Sequence, residues 1–257
     1  MRPHDALWLA VLLALGGCAS GGGGRTPARA DVDSPSQQAA QMQVQLGQGY
    51  LQQGKLETAQ ERLQRALKLD PRNVDAHTML AVLNERINRP EIAESFYRKA
   101  TELKPDGGAV NNNYGAFLCG KGRYAEADTY FQRALADPFY KTPGDAYGNA
   151  GTCAAKAGQP DKALAYFRNA LETQPTNAMA LFEMARINYE KNDNLRARAF
   201  MQRLEAVTPP EPQILELAER IELRLGDRSA AKKYRDRLEQ EFPDYEPVTT
   251  TEGSPSP

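Results

Sequence analysis

The chain has 257 residues, 41% hydrophobic and 25% charged, with 32 basic side chains against 33 acidic ones and a formal net charge of -1, a composition that can supply a sizeable core. Acids and bases are interleaved along the whole length, so the concentrated basic surface that displaces counterions from nucleic acid is missing, and nucleic acid is not an expected partner. The only histidines are His4 and His77, which excludes most metal-ligand clusters and any histidine-assisted nucleophile not built on His77 alone; no metal or cofactor is expected.

The segment ALWLAVLLAL at 6–15 is a continuous apolar stretch behind a start that contains Arg2. It has the length of a signal-peptide core and is too short to span a bilayer. Leu15-Gly16-Gly17-Cys18 follows at once and resembles the lipobox of bacterial lipoproteins. By that resemblance residues 1–17 are a lipoprotein signal peptide and Cys18 becomes the lipidated first residue of the mature chain. The alternative is cleavage near Ala19 with Cys18 incidental. In bacterial lipoproteins an Asp just after the cysteine favours retention at the inner membrane; Ala19 and Ser20 stand there instead, which implies anchoring to the outer membrane on its periplasmic face. Residues 18–39 are rich in Gly, Pro and Ser and read as a flexible tether, since so few apolar groups cannot offset the entropy of ordering. Twenty such residues span roughly 25 Å on average.

From residue 40 onward an alanine recurs at Ala59, Ala93, Ala127, Ala163, Ala197 and Ala231, with spacings of 34, 34, 36, 34 and 34. A small residue stands twelve places before each of the first five (Gly47, Ala81, Gly115, Gly151, Ala185), and a bulky one four places after (Leu63, Tyr97, Phe131, Phe167, Met201). Alanines return at Ala66, Ala100, Ala134 and Ala170, and prolines at Pro71, Pro105, Pro175, Pro209 and Pro243. Small residues on facing helices allow a close antiparallel approach, the large side chain fills the space beside them, and proline stops the second helix. The pattern resembles the tetratricopeptide repeat. It implies an all-α fold, a right-handed superhelical solenoid of six helix-turn-helix units at 40–73, 74–107, 108–143, 144–177, 178–211 and 212–245, followed by a disordered tail at 246–257. Breaks such as QQGKL, NRP, GKGRY, KAGQP and RLGD supply the turns. The sixth unit carries Glu219 at the small position and Arg235 at the bulky one, which suits a terminal cap facing water.

Counting places from the start of each unit, the tetratricopeptide resemblance puts first-helix places two, five, nine and twelve on the concave groove. Here these include Gln41, Val44, Gln48, Leu51, Thr78, Val82, Glu85, Asn112 and Ala116, joined by Asn113. Amides there suit the backbone of an extended peptide, and Val44, Leu51 and Val82 offer it apolar contact. Asn111 reads instead as a local cap. Lysines and arginines of the kind that clamp a carboxylate are missing from these places, so recognition of a free C-terminus is not expected.

Two irregularities stand out. ADPFYKTPGDAYGN carries two extra residues, with Pro138 one place early. Phe139 and Tyr140 there either form an exposed contact or fold back over the gap between repeats, the second being the expected arrangement for large rings. Cys119 and Cys153 fall on adjacent first helices at similar height. In an oxidising periplasm they read as a disulfide; the alternative is two small buried thiols that never meet, because the sequence does not show where their Cβ vectors point.

NNYGAFLCGKGRY at 112–124, the DPFYKTP loop, NAGTC at 149–153 and the lipobox with six repeats together resemble the type IV pilus biogenesis and stability lipoproteins, the PilF/PilW pilotin family. That resemblance implies a lipid-anchored outer-membrane protein that binds the pilus secretin subunit and promotes its localisation or multimerisation, acting as a monomer and without catalysis. A general lipoprotein scaffold for outer-membrane or envelope assembly is the alternative. Paired acids such as Glu216 with Glu219, or Glu239 with Glu241, fall on a strongly charged helical face and read as solvated rather than catalytic.

Overall fold

The computed structural model describes residues 34–246. The segment read as a signal peptide, Cys18, most of the span assigned to the tether and nearly all of the expected tail lie outside the described residues. Twelve helices follow one another among the described residues: α1 (Pro35–Gln52), α2 (Leu56–Leu69), α3 (Val74–Arg86), α4 (Pro90–Leu103), α5 (Gly108–Gly120), α6 (Tyr124–Ala136), α7 (Pro143–Lys156), α8 (Pro160–Thr173), α9 (Ala178–Glu190), α10 (Asn194–Glu205), α11 (Pro212–Leu225) and α12 (Arg228–Glu241). Odd- and even-numbered helices pair as hairpins, and the odd helices also touch their counterparts in the next hairpin. The result is an all-helical tetratricopeptide solenoid.

The helix boundaries have local causes. Asn73 and Asn177 cap α3 and α9 by accepting from the N–H groups of Ala76 and Ala180, each at 2.9 Å, and Asp227 caps α12 through Ala230 at 3.0 Å; each satisfies a donor the helix leaves open. Proline opens α4, α7, α8 and α11, where its missing N–H costs nothing. It also opens α1, so the first helix begins at Pro35, inside the span that composition assigned to the tether. Gln and Ala continue a helix readily, and Ala40, fully buried, fastens this turn to the core.

Each hairpin turns on one left-handed residue: Gly54, Asn88, Gly122, Gly158, Asn192 and Gly226, with φ between 55° and 79°. These are the residue types that enter this region at least cost. After each, a backbone bond reaches back to the end of the first helix, as from Arg89 to Asn84 at 2.8 Å and from Asp193 to Asn188 at 2.8 Å, the Schellman closure.

Inside each hairpin the small residue meets the bulky one. A Cβ placed on Gly47 would sit 2.7 Å from Leu63 Cγ, one on Gly115 2.9 Å from Phe131 Cε1, and one on Gly151 2.6 Å from Phe167 Cε1. Leu63, Phe131 and Phe167 are fully buried. In the sixth unit this contact becomes polar: Arg235 Nε donates to Glu219 Oε1 at 2.8 Å. The arginine stays half exposed while its partner is 14% exposed.

The close approach gives one substitution opposite outcomes at two glycines. Gly151→Ala forces its methyl into the Phe167 ring and is expected to cost about 1–3 kcal/mol. Gly49→Ala, on a helical position with nothing within 4 Å of the added atom, is expected to stabilise by about 0.4–1 kcal/mol. Denaturant midpoints of the two variants measure both signs.

Candidate functional site

The odd helices line the inner face, and its N-terminal end is rich in amides with one acid. Gln41, Gln45 and Gln48 of α1, Thr78 of α3 and Asn113 of α5 surround a cavity of about 260 Å³ with Val44 at its side. Asp75, the acid there, accepts from Gln41 Nε2 at 3.2 Å. Farther along, Glu85 and Val82 of α3 and Ala116 of α5 stand on the same run of places. Burial pushes the Glu85 carboxyl above its usual range, against a hydrogen bond with Tyr97 and the charge of Lys121.

Several of the expected groove residues are turned inward. Leu51 is 3% exposed and belongs to the core of the first two repeats, so the apolar contact assigned to it goes to its own fold and not to a ligand. Val44 is equally covered and Thr78 nearly so; Thr78 Oγ1 donates to Val74 O at 2.9 Å, leaving mainly its edge to the cavity. Asn112 is 7% exposed, and its Oδ1 accepts from Asn149 Nδ2 of α7 at 3.1 Å. Asn111 is fully buried and donates to Pro105 O and Gly107 O at 2.8 and 2.9 Å. His77, one repeat earlier at the same place, sets its Nε2 3.0 Å from Pro71 O. Both tie a first helix to the chain entering it. Gln41 is bonded to Asp75 and Asn73, so Gln48 and Asn113, with the neighbouring Gln45, carry the accessible amide chemistry.

The middle of the face is fastened twice. Besides the Asn112–Asn149 bond, a disulfide joins Cys119 of α5 to Cys153 of α7, with Cα atoms 5.7 Å apart.

The C-terminal end differs in chemistry. A cavity of about 710 Å³ lies between α9 and α11, lined by Phe182, Arg186, Tyr189, Glu216 and Arg220 among others. Two of its arginines are matched locally: Arg186 bonds Glu183 and Glu190, and Arg220 bonds Glu216. The Arg224 guanidinium lies 3.7 Å from the Tyr189 ring centroid, a cation–π distance. These residues were missed because the groove places were carried only through the third unit. Continuing places five, nine and twelve into the fifth unit names Phe182, Arg186 and Tyr189, and places five and nine of the sixth name Glu216 and Arg220. Of the acids weighed as a catalytic pair, Glu216 and Glu219 are each engaged by an arginine.

A tetratricopeptide repeat family model matches residues 44–108 and 118–178, and a second tetratricopeptide model matches 154–221. The chain is 31% identical over 243 residues to the type IV pilus assembly protein PilF of Pseudomonas aeruginosa, covering 95% of both chains. Among solved structures, that of Pseudomonas aeruginosa PilF superposes with a TM-score of 0.77 at 30% identity, over 82% of this chain and 96% of that one. PilW, described as a widely conserved type IV pilus biogenesis factor, superposes with a TM-score of 0.75 at 34% identity, over 81% and 96%.

The disulfide closes a loop with a sequence separation of 34 residues, for which chain entropy gives about 3–4 kcal/mol. A Cys119→Ser/Cys153→Ser variant is expected to lose stability of that order in denaturant unfolding. Adding reductant to the wild type is expected to shift its midpoint the same way and leave the double variant unmoved.

Proposed function

The chain belongs to the tetratricopeptide repeat proteins of type IV pilus biogenesis, and from that premise we propose that it works as a pilotin. Lipid on Cys18 addresses it to the periplasmic face of the outer membrane, the segment after Cys18 gives reach, and the inner face holds a segment of the pilus secretin subunit during delivery or multimerisation. The observation that carries this reading is the similarity to PilF over 95% of both chains. The arrangement of the inner face supports it. Gln45, Gln48 and Asn113 present amide donors and acceptors there, the chemistry that bonds an extended backbone without selecting a charged side chain. One acyl chain binds a membrane only marginally, whereas the several chains of a mature lipoprotein anchor it stably. Binding and placement suffice for this role, and no catalytic step enters it.

The test follows the secretin in outer-membrane fractions, as monomer and as heat-resistant multimer, in wild type, a deletion strain and a Cys18→Ala strain. Loss of multimer in the deletion and mislocalised secretin in the Cys18→Ala strain are the expected results. Unchanged secretin in both strains removes the assembly role and leaves a general envelope scaffold as the reading to pursue.

A further inference from the structure

The two extra residues between the third and fourth repeats form a loop, 137–142, that is fixed at its ends and bare in the middle. Asp137 accepts from the N–H groups of Gly108 at 2.8 Å and Phe139 at 2.9 Å, and these backbone donors hold its carboxyl below the usual range. Tyr140 packs over Gly108 so closely that a Cβ there would lie 2.5 Å from the ring. The expectation that both rings fold back is thus met by Tyr140 alone. Phe139 is 88% exposed, more than any other large apolar side chain among the described residues, because Asp137 and Tyr140 have already taken the contacts that a third group in so short a loop would need.

Beside Phe139 lies a cavity of about 510 Å³, and three of its lining residues, Asp75, Ala109 and Val110, also line the amide-rich cavity of the inner face. The two spaces therefore adjoin at the N-terminal ends of α3 and α5. Their electrostatics differ. Arg72, Lys104 and Lys141 line the outer space without an ion pair among the described residues. Three acids face them in equal number, bonded by neutral donors: Asp70 by the Arg72 N–H at 3.0 Å, Asp75 by Gln41, and Asp137 by its two backbone donors, with the charge of Lys104 also lowering the pKa of the Asp137 carboxyl.

We propose that this loop is a second contact for the secretin segment held in the groove, resting on the pilotin reading. The segment runs out of the amide-lined cavity over Val110, sets an acidic side chain against Lys104 and Lys141, and covers the Phe139 ring with an apolar one. The backbone that carries Phe139 is fastened on both sides before binding, and an aromatic side chain has only two torsions to fix when it is covered, which is what makes aromatic anchors effective. Lys104 and Lys141, with no carboxylate at ion-pair distance among the described residues, give an acidic side chain a direct partner that the amides do not.

Binding of the purified secretin subunit to the mature chain tests this, with Phe139→Ser and Lys104→Gln/Lys141→Gln compared with wild type. All three side chains are exposed, so melting temperatures are expected to stay within a degree or so. Phe139→Ser is expected to weaken binding roughly tenfold or more. The double lysine variant is expected to weaken it several-fold and to flatten its dependence on salt. Binding by wild type with both variants unchanged overturns the loop contact and leaves the pilotin reading standing. Failure of the wild type to bind overturns the pilotin reading and the contact with it.

Discussion

Everything in this solenoid hangs on one close approach, between a small residue on the first helix of each repeat and a bulky one on the second. At Gly47, Gly115 and Gly151 the space that a Cβ would occupy is already filled by Leu63, Phe131 and Phe167. The helices of a hairpin lie near enough for these side chains to be wholly enclosed, at the density that interiors require. Because one hairpin cannot cover its own outer apolar face, the next must stack on it, and three overlapping apolar clusters run from α1 through α12. The chain of contacts ends where the pair turns polar. Glu219 and Arg235 keep the geometry of the sixth hairpin while placing an ion pair in the position of a glycine and an aromatic ring.

Stacking also makes the inner face. Odd helices stand side by side on the inner face, so the same register places recur across it, and what those places carry sets the chemistry of each end. The first three units bring glutamine and asparagine with little charge. The last two bring Phe182 and Tyr189 with Arg186 and Arg220 matched by glutamates and Arg224 set over the Tyr189 ring. A single extended partner crossing this face meets backbone-seeking groups at one end and aromatic, charge-balanced ones at the other. Between them the Cys119–Cys153 bridge and the Asn112–Asn149 bond tie α5 to α7, which keeps the two ends in register with each other.

The insertion after α6 shows how the fold absorbs a departure from the repeat. Two added residues leave the loop too long for direct passage into α7. Asp137 and Tyr140 absorb the excess by engaging the N-terminal end of α5, and Phe139 is left outward.

The sequence by itself determined the repeats. The spacing of alanines, the small and bulky partners and the stopping prolines follow from the requirement that two helices pack closely, and that requirement leaves its trace at fixed intervals in the chain. The left-handed turns are legible for a similar reason, since the conformation admits glycine and asparagine at least cost. Which groove residues reach solvent was decided only by the tertiary structure. Leu51 and Asn112 stand at inner-face places, yet one is drawn into the first hairpin's core and the other bonds to Asn149 in the next repeat. The fate of Phe139 was decided in the same way, because exposure depends on which neighbours have already claimed the available contacts, and those neighbours come from helices far apart in the chain.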